Sequence, residues 1–160
     1  MAPSKTSFSR FVPDEREMTR VGARLAGCLA PGDAVLLIGP IGAGKSHLAR
    51  AMIRTHLGGQ DDIPSPTYTL VQTYETAGAD IWHADLYRLG DSSELVELGL
   101  DDAFETAIVV IEWADRLPAE LVPTDAIRID IQPKDDGRIV AVTATEKQAD
   151  TLRSVFDHDG

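Results

Sequence analysis

Only one cysteine, Cys28, occurs in the chain, so no internal disulfide is available. Its neighbours Ala26, Leu29 and Ala30, on a segment of helical spacing, mark it as a small packed residue rather than a nucleophile. Basic residues are scarce, 15 against 26 acidic ones, which leaves a formal charge of -11. That balance repels a polyanion and offers no basic stripe for gripping RNA or DNA, so any service to a nucleic acid would run through another protein. Long apolar runs are missing as well. The two continuous ones, residues 34–38 and 107–111, are far short of the roughly 20 residues that cross a bilayer. The opening Met1-Ala2-Pro3-Ser4-Lys5 lacks the apolar stretch of a signal peptide. A cytoplasmic protein with no membrane attachment is expected.

What remains is a chain of 160 residues, 43% hydrophobic, enough for one core and too short for a nucleotide domain plus a separate substrate domain. A single domain over residues 1–160 is expected, with residues 1–8 and 157–160 mobile. There are no internal repeats, low-complexity tracts or interdomain linkers.

The most informative segment is Gly39-Pro40-Ile41-Gly42-Ala43-Gly44-Lys45-Ser46, a complete phosphate-binding loop directly after the apolar run Ala34-Val35-Leu36-Leu37-Ile38. Strand, glycine-rich turn and helix start follow in that order, so backbone N–H groups and a helix N-terminus converge on one anionic site. Gly39, Gly42 and Gly44 let the backbone approach phosphate oxygens. Lys45 supplies charge to the β and γ phosphates, and Ser46 supplies a hydroxyl to Mg2+. The ligand expected is a nucleoside triphosphate.

Elsewhere the patterns are those of an alternating α/β chain. Met18, Val21, Leu25 and Leu29 recur at helical spacing within residues 14–30, and a second helix is expected from Lys45 through about His56 before Gly58-Gly59. Residues 68–74 and 80–87 read as strands joined by a hairpin, residues 91–99 as a short helix capped by Asp91 or Ser92. Residues 107–111 read as a strand buried on both faces, and 125–131 and 138–145 as a pair joined through Asp136-Gly137. A closing helix carries Leu152, Val155 and Phe156. The order predicts a three-layer, P-loop NTPase-like α/β domain with a mixed, mostly parallel sheet flanked by helices.

A phosphate loop needs a carboxylate at the tip of a neighbouring strand to hold Mg2+ or its water shell, and Glu112 ends the other wholly apolar strand. Asp85 competes for that place, since it also closes a strand; there it would orient or deprotonate the attacking water. Alternation puts His83, Asp85 and Tyr87 on one face, and Trp113 is expected to fill the core. Ser65, Pro66 and Thr67 form a proline-stiffened loop where γ-phosphate sensors act in switch-type nucleotidases, or a simple turn. No correctly spaced Asn/Thr-Lys-x-Asp motif is present, which favours ATP over GTP. Scattered arginines argue against the lid of a small-molecule kinase, the rival reading being an ATP-dependent phosphotransferase acting on a metabolite.

Four segments taken together, Gly42-Ala43-Gly44-Lys45-Ser46, Ser65-Pro66-Thr67-Tyr68-Thr69-Leu70-Val71, His83-Ala84-Asp85-Leu86-Tyr87-Arg88-Leu89 and Ile111-Glu112-Trp113-Ala114-Asp115, resemble the bacterial TsaE family. The resemblance runs over about residues 14–145. It implies a cytoplasmic P-loop ATPase, dependent on ATP and Mg2+, that acts with two partners, TsaB and TsaD. Those partners carry out threonylcarbamoyl transfer to tRNAs reading codons that start with A, while hydrolysis resets the complex and tRNA is met only through it. On this resemblance Ser46 and Glu112 are the Mg2+ ligands, Asp85 and Glu112 the catalytic acids, and residues 65–67 the switch. Thr19, Gly39, Gly42, Ala43, Gly44, Lys45, Ser46, His47 and Arg138 surround the nucleotide. Ser46 and His47 stand where many relatives carry Thr. No arginine finger is evident, which implies weak activity alone and stimulation by the partners.

Overall fold

The computed structural model describes residues 4–58, 70–76, 78–91 and 93–157, with residues 155–157 described by backbone alone. Within them the elements are β1 (Lys5–Val12), α1 (Glu15–Ala26), β2 (Ala34–Ile38), α2 (Lys45–His56), β3 (Val71–Glu75), β4 (Asp80–Asp85), α3 (Ser93–Glu97), α4 (Leu100–Thr106), β5 (Ile108–Glu112), β6 (Ile127–Lys134), β7 (Gly137–Thr145) and α5 (Glu146–Asp157). Residues 65–67 and 92, and the side chains of Val155 and Phe156, lie outside the described residues.

One seven-stranded sheet has the order β1-β7-β6-β2-β5-β4-β3. The centre is parallel, β6 with β2, β2 with β5 and β5 with β4, while both flanks are antiparallel. The apolar runs dictate that centre. Val35 and Leu37 of β2 face the core beneath α1, α2 and α5, whereas Ala34 and Leu36 face a second core beneath α3 and α4. A strand buried on both faces must be apolar at every position, and the two runs without alternation take the fourth and fifth of the seven places. Helices on both faces make three layers, and no helix among the described residues is long and apolar enough to cross a membrane.

Several expectations are corrected. Residues 5–8, expected to be mobile, belong to β1, which pairs along its length with β7 from Lys5 opposite Thr145 to Val12 opposite Arg138. The segment alternates inward and outward, a pattern hidden by its many Ser, Thr and Lys residues. Asp157, placed with the mobile end, closes α5. Helix α1 starts as expected after Asp14, whose side chain accepts from Glu17 N at 2.8 Å, but ends at Ala26. Helix α4 was hidden because its four acidic and polar positions, Asp101, Asp102, Glu105 and Thr106, mask Leu100 and Ala103, which the core buries. Strand β4 stops at Asp85 rather than Tyr87, because Asp85 Oδ1 accepts from Tyr87 N at 3.0 Å and turns the chain.

The β6–β7 and β3–β4 hairpins form where expected. Lys134 pairs with Gly137 around Asp135, whose φ of 52° suits a short polar side chain in a tight turn. Glu75 pairs with Asp80, and Thr76 N donates to Ala79 O at 3.1 Å inside the connection.

Candidate functional site

The loop between β2 and α2 lies at the carboxyl end of the parallel strands, where ligands of open α/β sheets bind. Gly39 passes so close to β6 that a Cβ there would sit 2.3 Å from Ile131 O, so no other residue fits without displacing the sheet. Gly44, at φ 108°, is the left-handed residue from which α2 starts, and no side chain caps that helix end. The first amides of α2 are thus presented to the loop's interior, as anion binding requires.

Arg138, just past the β6–β7 turn, secures this loop from the far side. Its Nε donates to Ala43 O and its Nη2 to Gly42 O, both at 3.0 Å, while Nη1 donates to Gly137 O at 2.9 Å. One guanidinium thereby holds two consecutive carbonyls of the loop. Arg138→Ala is expected to weaken nucleotide binding about tenfold with a smaller effect on kcat, since it removes charge-assisted bonds to the loop rather than to a reacting atom. Isothermal titration with ADP beside steady-state kinetics checks this. A fall in kcat with unchanged affinity would instead put Arg138 among the groups acting on the transition state.

Lys45 is 5% exposed. Its ammonium donates to Gly39 O and, at 3.2 Å, to Pro40 O, and it lies 3.5 Å from the centroid of the Trp113 ring. Burial lowers its pKa, while the carboxylates of Glu112, Asp115 and Asp85 oppose that shift. Trp113 therefore does not simply fill the core. One part of the residue packs against the α3–α4 core, but a backbone φ of 58° at the end of β5 turns the ring under Lys45, with Tyr87 at 5.0 Å between centroids. Positive φ is rare for a bulky residue, and nothing in the amino-acid pattern announces it.

Glu112 ends β5 at 1% exposure, directly opposite Asp85 of β4 at 5%. Ser46 Oγ donates to Glu112 Oε1 at 2.5 Å, and His83 Nε2 lies 2.6 Å from Glu112 Oε2. Burial would raise the Glu112 carboxyl. The hydrogen bond and charge of His83, the Ser46 hydroxyl and Arg50 outweigh it and hold the group below the usual carboxylate value. Among the described residues no three His, Cys, Asp or Glu side chains gather into a metal cage. A Mg2+ held by one hydroxyl, one carboxylate and phosphate oxygens needs none, because this ion keeps several waters and takes few protein ligands. The donor set, hard oxygens beside an anion-binding loop, fits that group.

Of the remaining expected residues, Thr19 Oγ1 donates to Glu15 O at 3.0 Å and stands 2.7 Å from His47 Nε2, tying α1 to the first turn of α2. Residues 65–67 of the expected switch lie outside the described residues. The loop, Asp85, Glu112, Trp113 and Arg50 line a cavity of about 420 Å³. A narrower cleft of about 160 Å³ continues past Gly42, Gly44 and His47 to Val12, Pro13, Met18 and Arg138. A larger cavity, about 640 Å³, lies at the opposite end of the sheet around Asp33, Asp125 and Thr145, away from every expected site residue. Cys28 borders it, half-buried, with burial pushing its thiol up, which agrees with a packing role.

The loop and both acids lie together at this junction, and two contacts were not expected: the partnership of His83 with Glu112 and that of Trp113 with Lys45. The aligned polar row on β4 signalled the first, whereas the second had no signal.

Comparison with known proteins identifies a family and a structural neighbour. The sequence model of the family described as "Threonylcarbamoyl adenosine biosynthesis protein TsaE" matches residues 12–140. The chain is 37% identical over 158 residues to the tRNA threonylcarbamoyladenosine biosynthesis protein TsaE of Haemophilus influenzae, covering 95% of this chain and 99% of that one. It is 34% identical over 139 residues to the protein of that name from Bacillus subtilis, covering 85% of each. The crystal structure of Bacillus subtilis YdiB superposes with a TM-score of 0.77 at 25% identity, covering 98% of this chain and 99% of that one.

Proposed function

The chain belongs to the TsaE family of threonylcarbamoyl adenosine biosynthesis proteins, and from that we propose that it is a Mg2+-dependent ATPase serving threonylcarbamoyladenosine modification of tRNA. The observation that carries the ATPase reading is the junction at the start of α2. There a buried lysine, a serine hydroxyl and a strand-end carboxylate meet at a helix start without a side-chain cap, with Ser46 Oγ 2.5 Å from Glu112 Oε1.

In this reading the loop amides and Lys45 bind the β and γ phosphates, and Ser46 and Glu112 hold the metal. Mg2+, when bound, supplies charge neutralisation to the phosphates and leaving group. Asp85, whose Oδ1 is held by Tyr87 N, keeps its carboxylate at a fixed place beside Glu112, where it orients the attacking water. The cleft past Gly42 and Gly44, apolar at Val12, Pro13 and Met18, supports a nucleoside continuing from the phosphates. Lys45, Arg50 and Arg138 gather cationic charge at this end of a chain whose formal charge is -11, which favours a small anion over a nucleic acid.

The partners in this proposal are TsaB and TsaD, which perform the transfer on tRNAs reading codons that start with A, with hydrolysis resetting their complex in the cytoplasm. Supporting it is the family itself together with Arg50 being the one arginine among the described residues that line the phosphate cavity. Slow hydrolysis by the isolated chain and stimulation of about 10-fold or more on adding TsaB with TsaD are expected. Phosphate release with and without the two partners, and without any metabolite acceptor, measures both. Equal rates in the two conditions would refute the resetting role, and ADP formation only with an added small acceptor, without release of inorganic phosphate, would favour a phosphotransferase.

A further inference from the structure

His83 is a second buried side chain beneath Glu112 for which the ATPase reading has no task. It sits on β4 at 0% exposure and lines neither the cavity nor the cleft of the phosphate loop, so it cannot touch the nucleotide. Its Nε2 is 2.6 Å from Glu112 Oε2. The register brings them together: β4 and β5 run parallel with Asp85 opposite Glu112 and His83 opposite Val110, which makes His83 and Glu112 diagonal neighbours on one face.

The two oxygens of Glu112 are engaged from different sides, Oε2 by His83 and Oε1 by Ser46 Oγ at 2.5 Å. A carboxylate engaged at both oxygens has its plane fixed. Since an ionised carboxylate only accepts, Nε2 carries the proton of that bond. The other ring nitrogen, Nδ1, is buried with no hydrogen-bond partner among the described residues. An apolar side chain of similar volume would avoid that orphaned nitrogen, so the packing alone does not call for histidine.

We propose that His83 is the positioning residue of Glu112, its Nε2–H pinning Oε2 so that Oε1 stays turned toward Ser46 and the phosphate loop. The inference rests on the reading of Ser46 and Glu112 as the pair that holds Mg2+. Outer groups that orient a ligating carboxylate act on metal affinity without contacting the metal.

Three variants separate the donor from mere volume. His83→Gln places an amide N–H near the position of Nε2, His83→Asn places one near Nδ1, and His83→Leu removes donors altogether. Mg2+ titrations in the presence of a nonhydrolysable ATP analogue are compared with analogue binding in EDTA. His83→Leu and His83→Asn are expected to weaken apparent Mg2+ affinity about 10- to 100-fold, with binding in EDTA within about twofold of wild type and His83→Gln recovering most of the loss. In nucleotide-free protein, 15N NMR of labelled histidine should show His83 protonated at Nε2, with the signal displaced in Glu112→Gln. Unchanged Mg2+ affinity in all three variants, or equal losses in Gln and Asn, would overturn the proposal. Should His83→Leu fail to fold, the Gln and Asn pair gives the same decision. A wild-type protein that binds no Mg2+–nucleotide at all counts against the ATPase reading instead, and the NMR measurement then judges the His83–Glu112 pair by itself.

Discussion

Lys45→Ala is expected to lower ATP turnover about 10²- to 10³-fold, the size of effect seen when one preorganised charge-stabilising donor is removed from an active site. Affinity for ATP should fall with it. The ammonium rests on neutral acceptors, the carbonyls of Gly39 and Pro40 and the face of Trp113, and these compete weakly with a phosphate oxygen. Three carboxylates, Glu112, Asp115 and Asp85, act on Lys45 electrostatically. Without the lysine they would face an incoming triphosphate with less positive charge between them, so the variant loses an attraction and gains a repulsion. Hydrolysis assays and calorimetric titration of a nonhydrolysable analogue measure the two effects separately, and a thermal melt confirms that the variant is folded. Near-normal hydrolysis in a folded Lys45→Ala protein would remove the phosphate loop from the chemistry.

Glu112→Gln should be nearly as severe in turnover while sparing nucleotide binding. The substitution keeps the shape of the side chain, and an amide can still meet Ser46 Oγ on one side and His83 on the other, so the fold should persist. What disappears is a carboxylate that His83, Ser46 and Arg50 hold ionised despite burial. A Mg2+ ion in this junction would lose its one anionic protein ligand, and an apparent metal affinity lower by about 10- to 100-fold follows from the electrostatics of hard-cation sites. The check is a Mg2+ titration of hydrolysis beside nucleotide binding in EDTA. An unaltered metal titration would transfer the ligand role to Asp85, which stands opposite Glu112 in the sheet.

How much of this was legible beforehand varies by residue. The phosphate loop was, because its chemistry is local: three closely spaced glycines, one lysine and one hydroxyl act through a backbone shape that eight residues specify, and the apolar strand before them is contiguous. Helix α2 likewise runs from Lys45 to His56, as expected from its periodicity and the glycines behind it. The central strands were legible because a two-sided burial demands an unbroken apolar run. Strand β1 and helix α4 were not, since each buries only a few small or alternating side chains and hides them among polar ones.

The acids fall between these cases. Glu112 and Asp85 could be picked out as strand-end carboxylates, and the family resemblance assigned them roles. Their adjacency, however, is a matter of strand order and register.

The chain's one-dimensional pattern was sufficient to specify the phosphate loop, the alternation of helices and strands, and the family, because those properties depend on residues near one another along the backbone. Three-dimensional packing settled the rest. The parallel pairing of β4 with β5 put His83 behind Glu112, the left-handed turn at Trp113 brought an indole under Lys45, and the β6–β7 hairpin carried Arg138 to the carbonyls of Gly42 and Ala43. Each of those contacts joins residues tens of positions apart, and no local preference encodes which strand becomes whose neighbour.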